Sequence, residues 1–560
     1  MRQEDAIIVN HVGFTPDGDK HFVIAEPPEE AFRIIRRWDG AVVYEGRLKR
    51  VDQDLGAAWM GCFSEVRQDG SYLIQCGDVI SRVVCVFNGV YDMPLRTLFN
   101  YFPAQRCGDS GTGWHSPCHT MDARLIDGSD ARCIDSGVHL DVSGGWHQSG
   151  DLRKWTWGTS YGLLGLAKLG QYEPLQRWAR GQIAEEIKWG NQYFQKMVRE
   201  DGGLMDHVVL PLGWARERYL YGNNAASQAT YTVIAGQAMA AGYFRERDPE
   251  YAGKCLSVGK RMWDYITGPD YPNAPYSPRA IPRYHENVFE FSFRNSYPGS
   301  ALDLSHRLFA GIAMIEATGD GTYLDDAYAC ASALVELQVA GDVSKNPTAG
   351  CFRAGPERSG IAADTYDGVL GLLGICSLLQ LRPEHKDAGR WKDAVCLRAE
   401  QRCQMAQRNA WGLVPSYWYA EDPGGGRPAG SGFYRYFSKE FAMVVGNNFE
   451  VMGNALFLLR ARQITGDKRC FSVACRQLDW VLGCNPANAS TVEGVGRNQP
   501  ERFINGDEFF PPTPQIPGAV MTGITGTEDD DPAPLGTLCD VEYDMPPTAL
   551  LMWLLTELAG

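Results

Sequence analysis

A chain of 560 residues with 44% apolar and 22% charged side chains has a globular composition and is long enough for two or more domains. Its net charge of −15 offers no basic face to displace counterions, which excludes nucleic acid and anionic membrane surfaces as partners and favours a neutral or cationic substrate. The opening MRQEDAIIVNHVGF lacks a cationic start ahead of an apolar run, and no apolar stretch reaches bilayer length. The expectation is therefore a soluble, cytoplasmic protein without a membrane partner, or the mature form of a secreted one. The 16 cysteines are scattered rather than dense and read as reduced, mostly buried thiols.

Residues 1–92 carry short β-type runs, AIIVNHVGF, HFVIAE, AFRIIRRW, AVVYEGRL, SYLIQCG and VISRVVCVF. Between them, PDGD, WDGA and QDGS set Asp beside Gly, where a tight hairpin needs a positive φ. This predicts a small β-sandwich.

From residue 93 to 560 the pattern changes to long Ala-, Leu- and Gly-rich segments: SYGLLGLAKLGQY, ATYTVIAGQAMAAGYF, DGVLGLLGICSLLQL and EVMGNALFLLRARQI. Their apolar residues cover most of a helix circumference, as for helices buried between neighbours, so this domain is predicted to be all-α. The stretch around Thr318, Gly319 and Asp320 is echoed around Thr465, Gly466 and Asp467, with Ala327 and Ala474 each at the same offset from the Asp. In both, Gly suits a left-handed helix end and Asp the cap of the next helix, giving antiparallel hairpins. Repeated hairpins fit a solenoid or a closed α/α barrel, and periodicity does not choose between them.

Within this domain, GGWHQSGDLRKW at 144–155 crowds Trp146, His147, Gln148 and Asp151 into a glycine-rich turn. The stretch PGGGRPAGSG at 423–432 lacks the Lys-Ser/Thr ending of a phosphate loop and reads as a flexible loop. EDDDP at 528–532 is a calcium candidate without the alternation of an EF-hand, and a solvated acidic turn is the plainer reading. After Cys484 comes a long loop ending in CDVEYDMPPTALLMWLL, where Asp540, Glu542 and Asp544 precede an apolar helix. Acidic side chains suit a helix N-terminus through its dipole. Two carboxyls on remote loops of a helical scaffold also suit inverting glycoside hydrolysis, which needs one base to activate water and one acid to protonate the leaving oxygen.

Taken together, VNHVGF, YFPAQRCG, SPCHTMDA, DVSGGWHQSGDLRKW, LDWVLGCNPANASTVEGVG, IPGAVMTG and EYDMPPTALL resemble, in that order, the motifs of glycoside hydrolase family 9, in the branch with an N-terminal immunoglobulin-like domain. The resemblance implies an (α/α)6 barrel behind an immunoglobulin-like β-sandwich, and an inverting hydrolase of β-linked oligo- or polysaccharide. It implies Asp151 as the base, from the second Asp of the family's DAGD, and Glu542 as the acid, with Thr548 and Ala549 in place of an Asn-Ala pair. Trp146, Tyr543 and Arg502 are the substrate-binding candidates it suggests. Trp114, Trp155 and Trp157 are further aromatics suited either to stacking on sugars or to the core.

The sequence departs from the family at two points. The first Asp of DAGD is Gln148, which can still accept a hydrogen bond from the attacking water but carries no charge. Losing one of two neighbouring carboxylates predicts slower turnover that persists to lower pH. The late loop reads NQPERFINGDEFFPP where the family has a PHHR-like cluster, leaving Arg502 as its basic group. Glu501, Asp507 and Glu508 there suit either a cationic sugar such as glucosamine or a solvated loop.

Cys107, Cys118 and His119 lack zinc-finger spacing and alone read as buried thiols and a surface imidazole. The resemblance implies a structural zinc held by Cys107, Cys118, His119 and His147, with His139 competing for the fourth place. An impaired hydrolase retained as a carbohydrate-binding protein is the rival to the enzyme reading, as is an exo-glycosidase for a modified sugar.

Overall fold

The computed structural model describes residues 5–127, 134–208, 216–269, 271, 298–356, 358–361, 368–419, 421–430, 432–438, 446–500, 516–536 and 541–559. Its N-terminal part is the β-sandwich expected from the alternating runs. One sheet orders Ile7–Val9, His21–Ile24, Ala58–Cys62 and Lys49–Val51, and the other orders Val42–Arg47, Ala31–Arg36, Gly70–Cys76 and Val79–Ile80. Along Gly70–Cys76 the alternation buries Tyr72, Ile74 and Cys76, which meet Phe22, Phe32 and Phe63 between the sheets.

After Val86, the end of the last sandwich strand, helices begin at Asp92. Six helices, Tyr161–Leu169, Ser227–Phe244, Ala301–Thr318, Gly368–Leu381, Asn448–Thr465 and Met545–Ala559, each pack on the next, and the last packs on the first. That closure excludes a solenoid: the domain is an (α/α)6 barrel. The ring helices are buried nearly all round, as with Ser227–Phe244, because neighbours flank them on every side. The outer helices instead bury one stripe. Pro249–Ile266 turns Tyr251, Cys255, Val258 and Met262 inward at helical spacing.

The two Thr-Gly-Asp echoes behave as their residue types dictate. Gly319 (φ 71°) and Gly466 (φ 72°) end their helices in the left-handed region, and Asp467 accepts from the Arg469 N–H at 2.8 Å to cap the next helix.

The helical barrel carries short strands on its loops that the sequence reading did not include. Ile134–His139, Arg124–Asp127, Tyr219–Asn224, Met205–Val208 and Lys154–Trp155 form a five-stranded sheet on the loops between helices. The glycine-rich 423–432 stretch supplies two paired strands, Arg427–Ala429 and Gly432–Arg435, rather than a flexible loop. These strands are too short, and too interrupted by polar residues, to stand out by period.

The sandwich is tied to the barrel by polar groups. Asp54 is buried and accepts from Tyr434 Oη (2.8 Å), Tyr436 Oη (2.9 Å) and Arg408 Nε (2.9 Å), while Asn10 donates to Asp479 at 2.8 Å. Asp54→Ala strands two buried hydroxyls and a guanidinium, and is expected to cost about 3 kcal/mol in denaturant unfolding. Asp54→Asn, which keeps an acceptor, is expected to cost less.

Candidate active site

The loop from 142 to 155 leads into the first ring helix, and hydrogen bonds fix its path. Cys107 N–H donates to Gly145 O and His147 N–H to Gln105 O, both at 2.8 Å, zipping it to the 105–107 segment. Gln148 N–H donates to Arg153 O at 2.7 Å and Leu152 N–H to Ser149 O at 3.2 Å, closing a turn with Asp151 near its tip. The Asp151 Oδ1 accepts from Ser149 Oγ (3.1 Å) and from the Arg153 N–H (3.0 Å), and Oδ2 lies 3.0 Å from Arg153 Nε.

Glu542 arrives from the far end of the chain. Thr522 N–H donates to Glu542 O at 2.8 Å and Asp544 N–H to Val520 O at 3.0 Å, so 542–544 runs antiparallel to the IPGAVMTG segment. That segment is held in turn by Thr491 and Glu493. Ser149 and Asp544 form a bridge, and Met545 N–H donates to Gln148 O at 3.0 Å. The turn that carries Asp151 and the segment that carries Glu542 are thus directly hydrogen-bonded, at the N-terminal ends of two adjoining ring helices, Tyr161–Leu169 and Met545–Ala559. Thr548, inside the second of these, donates to Asp544 O and accepts from the Val520 N–H.

Three carboxyls meet here. Burial first, then the charges of Asp151 and Asp544, push the Glu542 carboxyl well above the usual glutamate range. Burial likewise pushes Asp544 up to about 7, opposed by hydrogen bonds from the Gln148 side chain and the Met545 N–H. Ser149 also hydrogen-bonds Glu542. That hydrogen bond favours the ionised form of Glu542, against burial and the neighbouring charges, so Ser149 Oγ serves both carboxyls.

The structure thus brings Asp151, Gln148 and Glu542 together and adds Asp544 and Ser149. The sequence reading gave Asp544 only a helix-terminus role and left the base without a neighbouring acid, and both points are corrected by Asp544's position beside Gln148. The spacing of Glu542 and Asp544 was the available signal, since residues i and i+2 of an extended segment share a face. Trp146 and Tyr543 are corrected as sugar contacts. Trp146 is 0% exposed, gives its indole N–H to Glu186 at 2.6 Å and packs edge-on against Phe102. Tyr543 is also buried, against Tyr101. Both brace the loops from behind. Arg502, Glu501, Asp507, Glu508 and Asp540 lie outside the described residues. In the acidic 528–532 turn, Asp530 is fully buried rather than solvated: it accepts from the Tyr436 and Phe437 N–H groups and pairs with Arg427.

Four buried side chains, Cys107, Cys118, His119 and His147, place their ligand atoms within 4.8 Å of one another and could hold a metal ion. Cys107 Sγ is 3.6 Å from His119 Nδ1, Cys118 Sγ is 3.5 Å from His147 Nε2, and the two imidazole nitrogens are 3.3 Å apart. Behind them Arg218 donates to Cys107 Sγ and to Asp122. His139 stands apart, half-exposed and bonded to Met121 O. Among the described residues no helix is long and apolar enough to cross a membrane.

Comparison with known proteins agrees with this architecture. The cellodextrinase of Butyrivibrio fibrisolvens is 24% identical over 525 residues, covering 88% of this chain and 85% of that protein. Endoglucanase D of Acetivibrio thermocellus is 26% identical over 553 residues, covering 91% and 77%. A metagenome-derived glycoside hydrolase family 9 endoglucanase superposes with a TM-score of 0.69 at 20% identity, covering 99% and 98% of the two chains. A Zn-binding triple mutant of the family 9 endoglucanase J30 superposes at 0.67 with 21% identity, covering 98% and 99%. The cellulase N-terminal ig-like domain matches residues 2–81, and glycosyl hydrolase family 9 matches residues 91–524, a span that includes Asp151 and stops before Glu542. The chain therefore belongs to glycosyl hydrolase family 9.

Proposed function

We propose that this glycoside hydrolase cleaves short β-1,4-linked glucan-type oligosaccharides with inversion. Asp151 takes a proton from water, Gln148 orients that water, and Glu542 gives its proton to the leaving oxygen. The observation that carries this reading is the meeting of two unlike carboxyls: Asp151, hydrogen-bonded by Ser149 Oγ and the Arg153 N–H, and Glu542, whose pKa burial and two neighbouring acids raise. The cellodextrinase and endoglucanase names of the relatives support the substrate class.

The cysteine–histidine cluster fits zinc. Bonds of about 2.3 Å to sulfur and about 2.05 Å to nitrogen, at tetrahedral angles, give S···N edges of about 3.6 Å and an N···N edge of about 3.3 Å. The measured separations of 3.6, 3.5 and 3.3 Å fall on those edges. With four protein ligands such an ion has no open position. When bound it would pin the 105–107 and 145–147 segments, and with them the base turn, without entering the reaction.

The test is release of products from a panel of cello-, mixed-linkage, xyloglucan and chitosan oligosaccharides, with the anomer followed by NMR. The expected result is turnover of a β-1,4-glucan oligosaccharide giving the α-anomer first. A β-anomer would overturn inversion. Gln148 favours one rival, a binding protein with lost catalysis, and binding by calorimetry without turnover on any substrate would establish it. Turnover confined to chitosan would move the substrate to a cationic sugar.

A further inference from the structure

Gln148 stands where the family motif has a carboxylate, and its surroundings show how the site accommodates an amide. Its side chain lies over Gly158, where a Cβ would come within 2.2 Å of Oε1 and 2.6 Å of Nε2, so only glycine leaves room for the amide there. On its other side it hydrogen-bonds the carboxyl of Asp544. That bond favours the ionised form of Asp544, so it is given by an amide N–H and turns Oε1 away. Among the described residues Oε1 is buried and has no hydrogen-bond partner. A buried acceptor without a partner is costly unless water or a ligand meets it.

Asp544 is itself fixed. It is 6% exposed, its Oδ1 accepts from the Met545 N–H at 2.8 Å, and its backbone bridges Ser149. Asp151 and Asp544 sense each other's charge, and both act on Glu542.

The geometry points to Asp544 as a positioning residue of the hydrolytic centre: it holds the Gln148 amide with Oε1 presented to the water that Asp151 activates, and supplies from the opposite segment the second negative charge that position 148 lacks. This rests on the assignment of Asp151 and Glu542 as base and acid. The base turn and the acid segment have exchanged a charge across the Ser149–Asp544 bridge, so a carboxyl pair persists although the motif shows only one acid. The groups facing Glu542 are Asp151, Asp544, Arg153 and the Ser149 hydroxyl, and Tyr101 lies close to both Glu542 and Asp544. Removing the Asp544 charge makes Glu542 easier to deprotonate, while Arg153 continues to act on it.

The experiment uses the full chain and measures kcat and KM against pH on a hydrolysed oligosaccharide for four variants. Asp544→Asn is expected to lower kcat on the order of 10²-fold with KM little changed, and to move the alkaline limb to lower pH. Gly158→Ala, which displaces the amide and leaves every carboxyl in place, is expected to lower kcat and to move that limb less than Asp544→Asn does. The double variant Gln148→Asp/Asp544→Asn returns the charge to position 148 and is expected to recover at least about tenfold of the loss and to restore the limb.

An unmoved limb in Asp544→Asn, or no recovery in the double variant while its thermal unfolding matches the wild type, overturns the role of Asp544. If Asp544→Asn does not fold, the Gly158→Ala result decides: unchanged kcat overturns the proposal. Asp151→Asn serves as the control, since its full activity would sink the base assignment itself rather than Asp544 alone.

Discussion

Asp151→Asn is expected to lower kcat by roughly 10³-fold at neutral pH on every substrate, with KM within a few-fold of wild type. An Asn oxygen still accepts from Ser149 Oγ and the Arg153 N–H, while loss of the buried pairing with the Arg153 guanidinium lowers the thermal midpoint. What is lost is the ability to take a proton from water. Glu542→Gln is expected to lose a similar factor on oligosaccharides, whose leaving alkoxide needs a proton, but far less on an aryl glycoside whose phenolate leaves unaided. The contrast separates acid from base: a Glu542→Gln defect equal on both kinds of substrate would remove its assignment as the acid. In wild type, burial and the Asp151 and Asp544 charges raise the Glu542 carboxyl well above the usual range, so the limb at which activity falls as Glu542 loses its proton should lie at higher pH than an ordinary glutamate would set.

The second large effect concerns the metal. The purified chain is expected to carry one zinc, and Cys118→Ser or exhaustive chelation should remove it and lower the thermal midpoint on the order of 5 °C. Without an ion, two thiols and two imidazoles remain packed together away from water. Activity should fall with the metal, because His147 immediately precedes Gln148 and its N–H fixes the turn that carries Asp151. The alkaline limb of the pH profile should stay in place, since the ion touches neither Glu542 nor its charged neighbours. Elemental analysis finding no zinc in protein purified without chelators would remove the assignment.

The sandwich was legible because period-two runs and Asp-Gly turns are local signals, and the ring helices because their length and all-round apolarity are too. Closure of the ring was not, since it depends on which helix meets which. Asp151, Gln148 and Glu542, and the group Cys107, Cys118, His119 and His147, were singled out by motif, and each set lies together in the structure. Trp146 and Tyr543 were misplaced by the same route, because a motif gives position along the chain and not which way a ring points. Asp544 escaped because its contact with Gln148 joins two segments from opposite ends of the domain. The five-stranded sheet, with Trp155 on its edge strand and His207 on the strand beside it, escaped because its strands are two to six residues long.

Closure of the helix ring has a further consequence, for the order in which the molecule matures. The base turn precedes the first ring helix and the acid segment precedes the last, so the hydrogen bonds joining 148–149 to 544–545 are among the longest-range contacts in the domain. Contacts of such separation carry the greatest loop-closure entropy and form late. A chain emerging from the ribosome can fold its sandwich and most of its ring while remaining chemically inert. On the proposed assignment, only the docking of Met545–Ala559 brings Glu542 to Asp151, so the onset of catalysis is expected to report that the barrel is complete.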